Sequence, residues 1–342
     1  MKKSMFFFVV SLLLAISSDL TAQVFVVEHA GVSSTFTSIK TAVAALQNDD
    51  KLYLPTGLIS LSGCVWTGYA GNENQGNTLA ITKRVSIYGA GYNQGINSTI
   101  ISDGHFFIGT GAEGTTVTGI RFDGQLTIDN VSNVMISRCK TNYYFYVQGT
   151  CANNYITECD MAMLSVSSTG GVIMTKNIIN SNNGTTYQNS TISNNIFFFF
   201  NNNFVNCSLM NNVFICSRND VNTNLMVGNG STRNSSFSYN LWVGANPYTT
   251  ADYNITFSNE KVNQLFSETF VDFGAGNYHL KSVCQGVNAG NDGKDVGIYG
   301  TAIPFKESRL PAIPFFAIKS ISSETDATGK LPVSITVQAQ DR

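Results

Sequence analysis

The stretch Ile192-Ser193-Asn194-Asn195-Ile196-Phe197 decides the fold, because its six-residue pattern recurs along the chain. The pattern is an apolar residue, a small or polar residue, a polar residue, Asn or Cys, any residue, and a final apolar residue. Its fourth position falls at residues 120, 139, 159, 177, 195, 212 and 240, in steps of 19, 20, 18, 18, 17 and 28. The earliest copy carries Ile120 at that place. The long last step predicts a coil with an inserted loop near residues 219–233.

The first position of the pattern is apolar in every copy, and such a column is buried by stacking on the next copy. Its members are Val117, Ile136, Ile156, Met174, Ile192, Leu209 and Phe237. The step is too short for a propeller blade of about 40 residues, and the leucine-rich repeat signature is missing from the sequence. It suits one turn of a coil with three short strands, with neighbouring coils about 4.8 Å apart. The predicted fold is all-β: a right-handed parallel β-helix, which is a solenoid.

The fourth position predicts a structural ladder inside the solenoid. A side-chain amide carries donors and an acceptor, so stacked Asn residues can hydrogen-bond along the axis. An isolated buried amide would instead cost about 1–3 kcal/mol. The adjoining cysteines are expected to be stacked thiols, and a disulfide between them is the alternative. The predicted ladder residues are Cys139, Cys159, Asn177, Asn195, Asn212 and Asn240.

The N-terminal residues predict export. A basic start, an apolar run from Met5 to Ile16 and a small-residue exit make residues 1–22 a signal peptide. We expect a protein that is secreted or held in the cell envelope (periplasm or outer surface), without a transmembrane span after cleavage. Residues 35–46 then predict an amphipathic helix, with Phe36, Ile39, Val43 and Leu46 on one face, that caps the first coil.

The C-terminal residues predict a separate extension. We assign residues 23–303 to the β-helix with its N-terminal cap, because three of the six prolines then follow, at Pro304, Pro311 and Pro314. Residues 304–342 read as a Pro-containing linker followed by a short β extension, which is a β-hairpin or capping tail. Two alternatives stay open: it packs on the last coil, or it provides an interaction strand.

Composition excludes some partners. The net charge is −2 and only 12% of residues are charged, so no long-range field attracts nucleic acid, and we expect a monomer. Arg138, Glu158 and Lys176 share the third position of the pattern, which predicts ion pairs between coils. The seven cysteines match no zinc spacing, so we expect buried core thiols and no metal site.

The cap helix with Thr41-Ala42-Val43-Ala44-Ala45-Leu46, the Asn-bearing coils and the ending Ala289 to Gly300 resemble secreted right-handed β-helix proteins of the pectate-lyase-like superfamily. The ending looks like that of uncharacterised exported bacterial members. The resemblance covers residues 24–303 and implies the fold. It leaves activity open, because this fold hosts lyases, hydrolases, adhesins and surface proteins. It implies no cofactor, except calcium in the case of a lyase.

Candidate catalytic residues lie in the early coils: Asp103, His105, Arg121 and Asp123. The superfamily's hydrolases use several Asp residues and a Gly-His-Gly stretch, from which Gly104-His105-Phe106 departs. Carboxylates one or two coils apart would lie roughly 5–10 Å apart, which overlaps the spacing for glycoside hydrolysis. We favour the alternative that both Asp-Gly dipeptides are ordinary turns.

Aromatic residues suggest a binding face. Within residues 143–146, Tyr144 and Tyr146 share one face of a strand, and Phe198 and Phe200 repeat the arrangement later. Outward rings stack on sugars or on protein partners; the alternative is that these rings fill a strand face or lie under a loop. The leading hypothesis is non-catalytic binding of a polysaccharide or cell-surface component along one face. The alternatives are a polysaccharide lyase or glycoside hydrolase, and a structural or adhesive surface rod.

Overall fold

The computed structural model describes residues 23–66, 75–93, 97–180, 186–198, 203–216, 232–246, 254–310, 315–321, 325, 328–330 and 333–338. The predicted signal peptide and most of the predicted loop insertion lie outside these residues. Among the residues described, no helix is both long and apolar enough to cross a membrane.

The first face of the molecule is a 12-stranded sheet. From β3 onward each strand pairs in parallel with the equivalent strand of the next coil, and β1 and β2 add an antiparallel edge. Numbered in chain order, its strands are β2 (Val32–Phe36), β1 (Phe25–His29), β3 (Asp50–Tyr53), β8 (Val85–Tyr88), β11 (Thr116–Thr118), β14 (Met135–Ser137), β16 (Ala152–Thr157), β18 (Gly170–Thr175), β21 (Thr191–Ser193), β24 (Ser208–Met210), β26 (Ser236–Ser238) and β28 (Thr256–Ser258).

The second and third faces share one 13-stranded parallel sheet, joined through the long strand β15. The second face contains β4 (Gly57–Ile59), β9 (Thr99–Ile101), β12 (Arg121–Phe122), the start of β15 (Lys140–Gln148), the start of β17 (Asp160–Val166), β19 (Ile178–Ile179), β22 (Ile196–Phe198), β25 (Val213–Ile215), β27 (Leu241–Val243) and β29 (Lys261–Gln264). The third face contains β7 (Thr78–Ile81), β10 (His105–Ile108), β13 (Gln125–Asp129) and the ends of β15 and β17.

The remaining elements are short pairs outside these two sheets. In the later coils a parallel pair continues the course of the third face, and three antiparallel pairs stand apart. They are β20 (Thr186–Gln188) with β23 (Asn203–Val205), β5 (Val65–Trp66) with β6 (Gln75–Gly76), β30 (Phe270–Asp272) with β31 (Asn277–Leu280), and β32 (Phe315–Ile321) with β33 (Val333–Gln338). A 3-10 turn covers Phe266–Glu268.

Each coil runs from the first face through a tight corner to the second face, then to the third face and back. The corner residue takes a left-handed backbone conformation, for example Glu158 at φ 55° and Asn194 at φ 57°. The predicted apolar column is fully buried: Ile192 on β21 lies in register with Met174 and Leu209 of the neighbouring coils. The chain is therefore a right-handed parallel β-helix, and the predicted fold class is confirmed.

The ladder column is a continuous chain of hydrogen bonds between fully buried amides. Asn195 Oδ1 accepts from both the backbone N–H and the Nδ2 of Asn177, at 2.9 Å each, and Asn212 Oδ1 accepts the same two bonds from Asn195 at 3.0 Å. Asn240 continues the chain. Each amide therefore satisfies a backbone donor of the coil before it as well as a side chain.

The two ends of the ladder use other side chains. Cys139 and Cys159 are free, buried thiols whose Sγ atoms lie 3.3 Å from the carbonyls of Ser137 and Thr157. At the other end, Glu260 Oε1 accepts from the N–H and Nδ2 of Asn240, at 3.0 and 3.1 Å, and its other oxygen accepts from the indole of Trp242. Burial raises the pKa of Glu260. A carboxylate suits this end because it meets three donors there.

A second internal ladder, which sequence reasoning missed, runs along the opposite edge of the first face. Asn154 Oδ1 accepts the N–H of Val134 at 2.9 Å, and Ser190 and Ser235 do the same for Val172 and Cys207 at 3.1 and 3.0 Å. The residues before them include Asn153, Asn189, Asn206 and Asn234, all in the left-handed region. The short first-face strands β21 and β26 are thus flanked at both ends by buried polar side chains, Ser190 and Asn195 for one and Ser235 and Asn240 for the other.

The N-terminal cap helix, α1, covers Ile39–Ala45 and is shorter than the predicted 35–46. Phe36 lies in β2 instead, because that strand pairs antiparallel with β1 and the chain stays extended through Ser38. Ile39, together with Leu46 just beyond the helix, is buried in the core, so the apolar face of the segment does cover the first coil.

The segment 284–310, here called the C-terminal strap, runs back along the corner between the first and second faces. Its Gly297 N–H donates to Asn211 O at 2.8 Å, its Ile303 carbonyl accepts from Lys176 at 3.1 Å, and its Leu310 carbonyl accepts from Arg138 at 3.1 Å. It covers the apolar outer side of the later second face. The buried residues of this interface are Ile178, Ile196, Phe198, Val213, Ile215, Leu241, Val243, Phe270, Cys284, Val296, Ile298 and Phe305.

The predicted domain boundary at residue 303 therefore needs correction. Phe305 is 4% exposed within the strap interface, and Arg309 lies 3.7 Å from Asp160 and over the ring of Tyr92. Residues 304–310 thus pack on the solenoid instead of forming a linker, and the packed body continues at least to Leu310. The sequence pattern missed this because strap contacts join residues more than 100 positions apart.

The C-terminal antiparallel pair β32–β33 follows the strap. Leu310 lies at the coil of Arg138, six coil steps, or about 29 Å, from the last coil. The four residues 311–314 span at most about 14 Å. Phe315 therefore begins short of the last coil, and packing of this extension on that coil stays a prediction.

Under the strap lies an ion network that confirms the predicted pairs between coils. Glu158 accepts from Arg138 Nε at 2.7 Å and from Lys176 Nζ at 2.9 Å, and the three side chains are only 8–12% exposed. One carboxylate thus balances two largely buried cations, while both cations also bind strap carbonyls. The network fastens the strap to three successive coils.

Replacing Asn195 with Leu tests the ladder. Two buried donors of Asn177 would lose their acceptor, so we expect a loss of about 2–5 kcal/mol in the free energy of unfolding, measured by urea denaturation. The control is Asn142→Leu, at an exposed amide, which should cost less than about 1 kcal/mol. Equal losses in the two variants would contradict a stabilising ladder.

Replacing Glu158 with Gln tests the network under the strap. The two cations would keep their burial but lose the balancing charge, so we expect destabilisation by about 2–4 kcal/mol in the same assay. Glu307→Gln is the matched control, since Glu307 is 63% exposed, and it should change stability by less than about 1 kcal/mol. A Glu158 variant as stable as the control would refute this role.

Candidate functional site

The third face is the surface on which three of the residues predicted to bind or react come together, namely His105, Tyr144 and Tyr146. Parallel pairing places residues of successive coils in outward columns about 4.8 Å apart. One column contains Phe107, Thr127, Tyr146 and Ser165, and a neighbouring one contains His105 and Gln125. We call the following six residues the third-face site: Trp66, His105, Gln125, Thr127, Tyr144 and Tyr146.

Tyrosine rings form the exposed part of this site. Tyr144 and Tyr146 leave β15 on the same side, and their rings are stacked, with centroids 5.3 Å apart and an interplanar angle of 14°. Tyr143, which is 48% exposed, meets Tyr144 edge to face at 4.9 Å. Phe145 lies between the two tyrosines in sequence but points inward and is fully buried, so the strand itself is anchored in the core.

A second aromatic pair lies two coils before the tyrosines. Trp66 on β5 covers Phe107 with ring centroids 4.2 Å apart, which leaves Phe107 at 3% exposure and Trp66 half-buried. His105 meets Phe107 edge to face at 5.7 Å. The register Phe107–Thr127–Tyr146 puts the two aromatic pairs about 10 Å apart along the solenoid axis.

Polar side chains fill the space between the aromatic pairs. His105 Nε2 lies 2.8 Å from Thr127 Oγ1, and Gln125 Nε2 lies 3.3 Å from the same imidazole nitrogen and 3.1 Å from the Thr127 hydroxyl. Burial lowers the pKa of His105 to about 4. The imidazole is therefore uncharged at neutral pH, and the cluster presents neutral donors and acceptors.

The predicted carboxylates line the corner between the second and third faces. Asp103 accepts from the Leu61 N–H at 2.7 Å and from Ser60 Oγ at 2.9 Å. Asp123 accepts from Arg121 at both oxygens, at 2.9 and 2.7 Å, and from Asn142 at 2.6 Å. Both carboxylates therefore tie stacked turns together.

Close stacking of these turns also requires glycine. A Cβ atom on Gly124 would lie 2.2 Å from the carbonyl oxygen of Gly104, so the two Asp-Gly turns can be superposed only without that atom. This agrees with the turn reading of both dipeptides. Within the described part of the chain, no three His, Cys, Asp or Glu side chains are grouped so that they would hold a metal ion.

The later aromatic pair has a different environment. Phe198 is 1% exposed and packs against Phe273 and Tyr278, at 5.0 and 5.4 Å between ring centroids. It points outward from the second face, as predicted, but β30, β31 and the strap cover it, so it offers no ring to a ligand. Phe200 lies outside the described residues.

Sequence reasoning missed three members of the site. Gln125 and Thr127 alternate with the buried Leu126, but period-two alternation alone does not say which outward residues matter. Their register beside His105 and Tyr146 would have identified them. Trp66 lies on an antiparallel pair outside the repeat, and no periodic signal could have placed it.

The first face offers a second, different surface. A shallow groove of about 400 Å³ follows the corner column Asn189, Asn206, Asn234 and Asn254, with Ser and Thr side chains beside it. Asn206 Nδ2 donates to Asn189 Oδ1, and Asn254 Nδ2 to Asn234 Oδ1, each at 3.1 Å. These amides therefore serve the corner itself, and the groove has no aromatic lining.

No protein-family model matches this chain, and no curated protein matches its sequence. The site must therefore be interpreted from its own geometry.

The environment of His105 predicts a pH dependence of stability. The folded protein keeps this imidazole neutral down to about pH 4, whereas the unfolded chain binds a proton below about pH 6.5. The unfolded state then holds more protons, so stability should fall as the pH drops from about 6.5 to 4. His105→Gln should have a flatter stability profile in urea titrations across this range. Parallel profiles for the two proteins would contradict the assignment.

Proposed function

We propose that this chain is an exported, non-catalytic β-helix protein that binds glycan through the third-face site. The observation that carries the proposal is the stacked, half-buried ring pair Tyr144–Tyr146 on a strand fixed in the sheet. Stacked tyrosines give sugars a broad apolar surface with hydroxyl groups at its rim. A pre-ordered platform also loses little side-chain entropy when it binds.

The polar cluster supports the same function. Sugar recognition needs donors and acceptors placed beside an apolar platform; the half-buried His105 and Gln125 provide them on the adjacent coils, and the buried Thr127 hydroxyl supports both. All three lie on strands, so their spacing is set by the parallel sheet and not by a loop. Membership of the pectate-lyase-like superfamily and export through the N-terminal signal peptide belong to this proposal as well.

The lyase or hydrolase alternative has weaker support. Asp103 and Asp123 are the predicted carboxylates beside the site, and both hold turns through hydrogen bonds at each of their oxygens. A glycoside hydrolase needs one carboxyl group that donates a proton and another that attacks or activates water. Both oxygens of Asp103 and of Asp123 already accept hydrogen bonds within the turns. Neither carboxyl group is therefore placed to donate a proton to a glycosidic oxygen, to attack the sugar or to activate water.

A polysaccharide panel, with and without calcium, tests the proposal. Tyr144→Ala/Tyr146→Ala should weaken binding by about tenfold or more, because two stacked rings are removed. The matched control is Tyr155→Ala, a half-buried tyrosine on the first face, which should bind like the unaltered protein.

Two outcomes would overturn the proposal. Depolymerisation that Asp123→Ala abolishes would make the protein an enzyme. If the protein neither binds nor cleaves any polysaccharide of the panel, a structural or adhesive rod is favoured.

A further inference from the structure

The strands that carry the third-face site are poor in charge. Tyr146 lies in register with Thr127 on one side and Ser165 on the other, and Tyr144 lies in register with Met163. His105 lies between Thr78 and Gln125, and its imidazole is held neutral by burial. Every one of these neighbours is uncharged at neutral pH.

Two cations of the neighbouring second face are matched by acids. Arg121 forms its two hydrogen bonds with Asp123, and Lys140 lies 3.1 Å from Asp160, both on the second face. On the described third-face strands, the charged outward side chain is Asp129, which is 5% exposed and lies at the end of β13. The outward side chains of the described third-face strands therefore include no cation.

An acidic sugar would bind this surface poorly. A carboxylate that loses its water needs a cation or several donors in return, and an unmatched one is costly. Sugar hydroxyls, in contrast, are satisfied by neutral side chains such as His105 and Gln125.

We infer that the third-face site selects a neutral glycan chain, bound along the solenoid axis, and discriminates against polymers of uronic acids. This inference rests on the proposed function of the same site. The bound segment would contact Trp66 at one end and the stacked Tyr144 and Tyr146 at the other. The half-buried His105 and Gln125 would bind the hydroxyl groups between them, and the buried Thr127 hydroxyl holds both side chains in place.

A matched pair of ligands tests this selectivity. Polygalacturonate and its fully methyl-esterified form share one backbone and differ in charge, and neutral β-glucan, xylan and mannan complete the panel. At physiological ionic strength the full-length mature protein should bind the neutral polymers, the ester included, about tenfold or more tighter than the free acid.

Ser165→Lys provides the complementary variant. Ser165 is half-buried beside Tyr146 and has no assigned contact with the ligand. A cation there should raise affinity for polygalacturonate about fivefold or more and change affinity for neutral polymers by less than about threefold.

The outcomes separate the two proposals. If the free acid binds as tightly as the neutral polymers, and binding is lost with the tyrosine pair, the glycan-binding function stands and the inferred selectivity is overturned. If no polymer binds, or if the affinity is unchanged in the Tyr144→Ala/Tyr146→Ala variant, the proposed function itself fails.

Discussion

The hydrogen-bonded Asn column is the constraint on which the rest of this structure depends. Each amide satisfies a backbone donor of the coil before it, so neighbouring coils cannot slip along one another without leaving buried donors unmatched. The left-handed corner beside each ladder residue sets the direction of the next strand. Together they fix the register, and the register decides which outward side chains become neighbours.

The candidate site is a consequence of that register and not of a local motif. Thr127 and Tyr146 are 19 positions apart in sequence, and Trp66 and Phe107 are 41 positions apart, yet stacking brings them to one surface. The second face is not equivalent, because the C-terminal strap buries its later coils. The first face carries hydroxyls and amides that mostly bind one another. Only the third face combines aromatic platforms with a neutral polar cluster among the described residues.

The fold could be predicted because its signal is local and repeated. The repeated six-residue pattern contains an inward apolar side chain, a corner and a ladder residue. Positions such as Ile192 and Asn195 therefore identify each coil from the sequence alone. The strap could not be predicted, since Lys176 and Ile303 meet across 127 positions without a shared pattern. Phe198 points outward from the second face, but Phe273 and Tyr278 of the β30–β31 pair cover its ring, and no repeat in the sequence predicts that contact. His105 and Tyr144 were found separately, and only the coil register joined them into one site.

Hydrogen–deuterium exchange with and without a bound neutral glycan tests the central claim most directly, because it locates the binding surface without relying on a substitution. Our account predicts added protection in β10, β13 and β15, over residues 105–108, 125–129 and 140–148, and none along the first-face strands β21 to β28. Protection that follows the first-face groove, or that is absent from the third face while the ligand is bound, would contradict it.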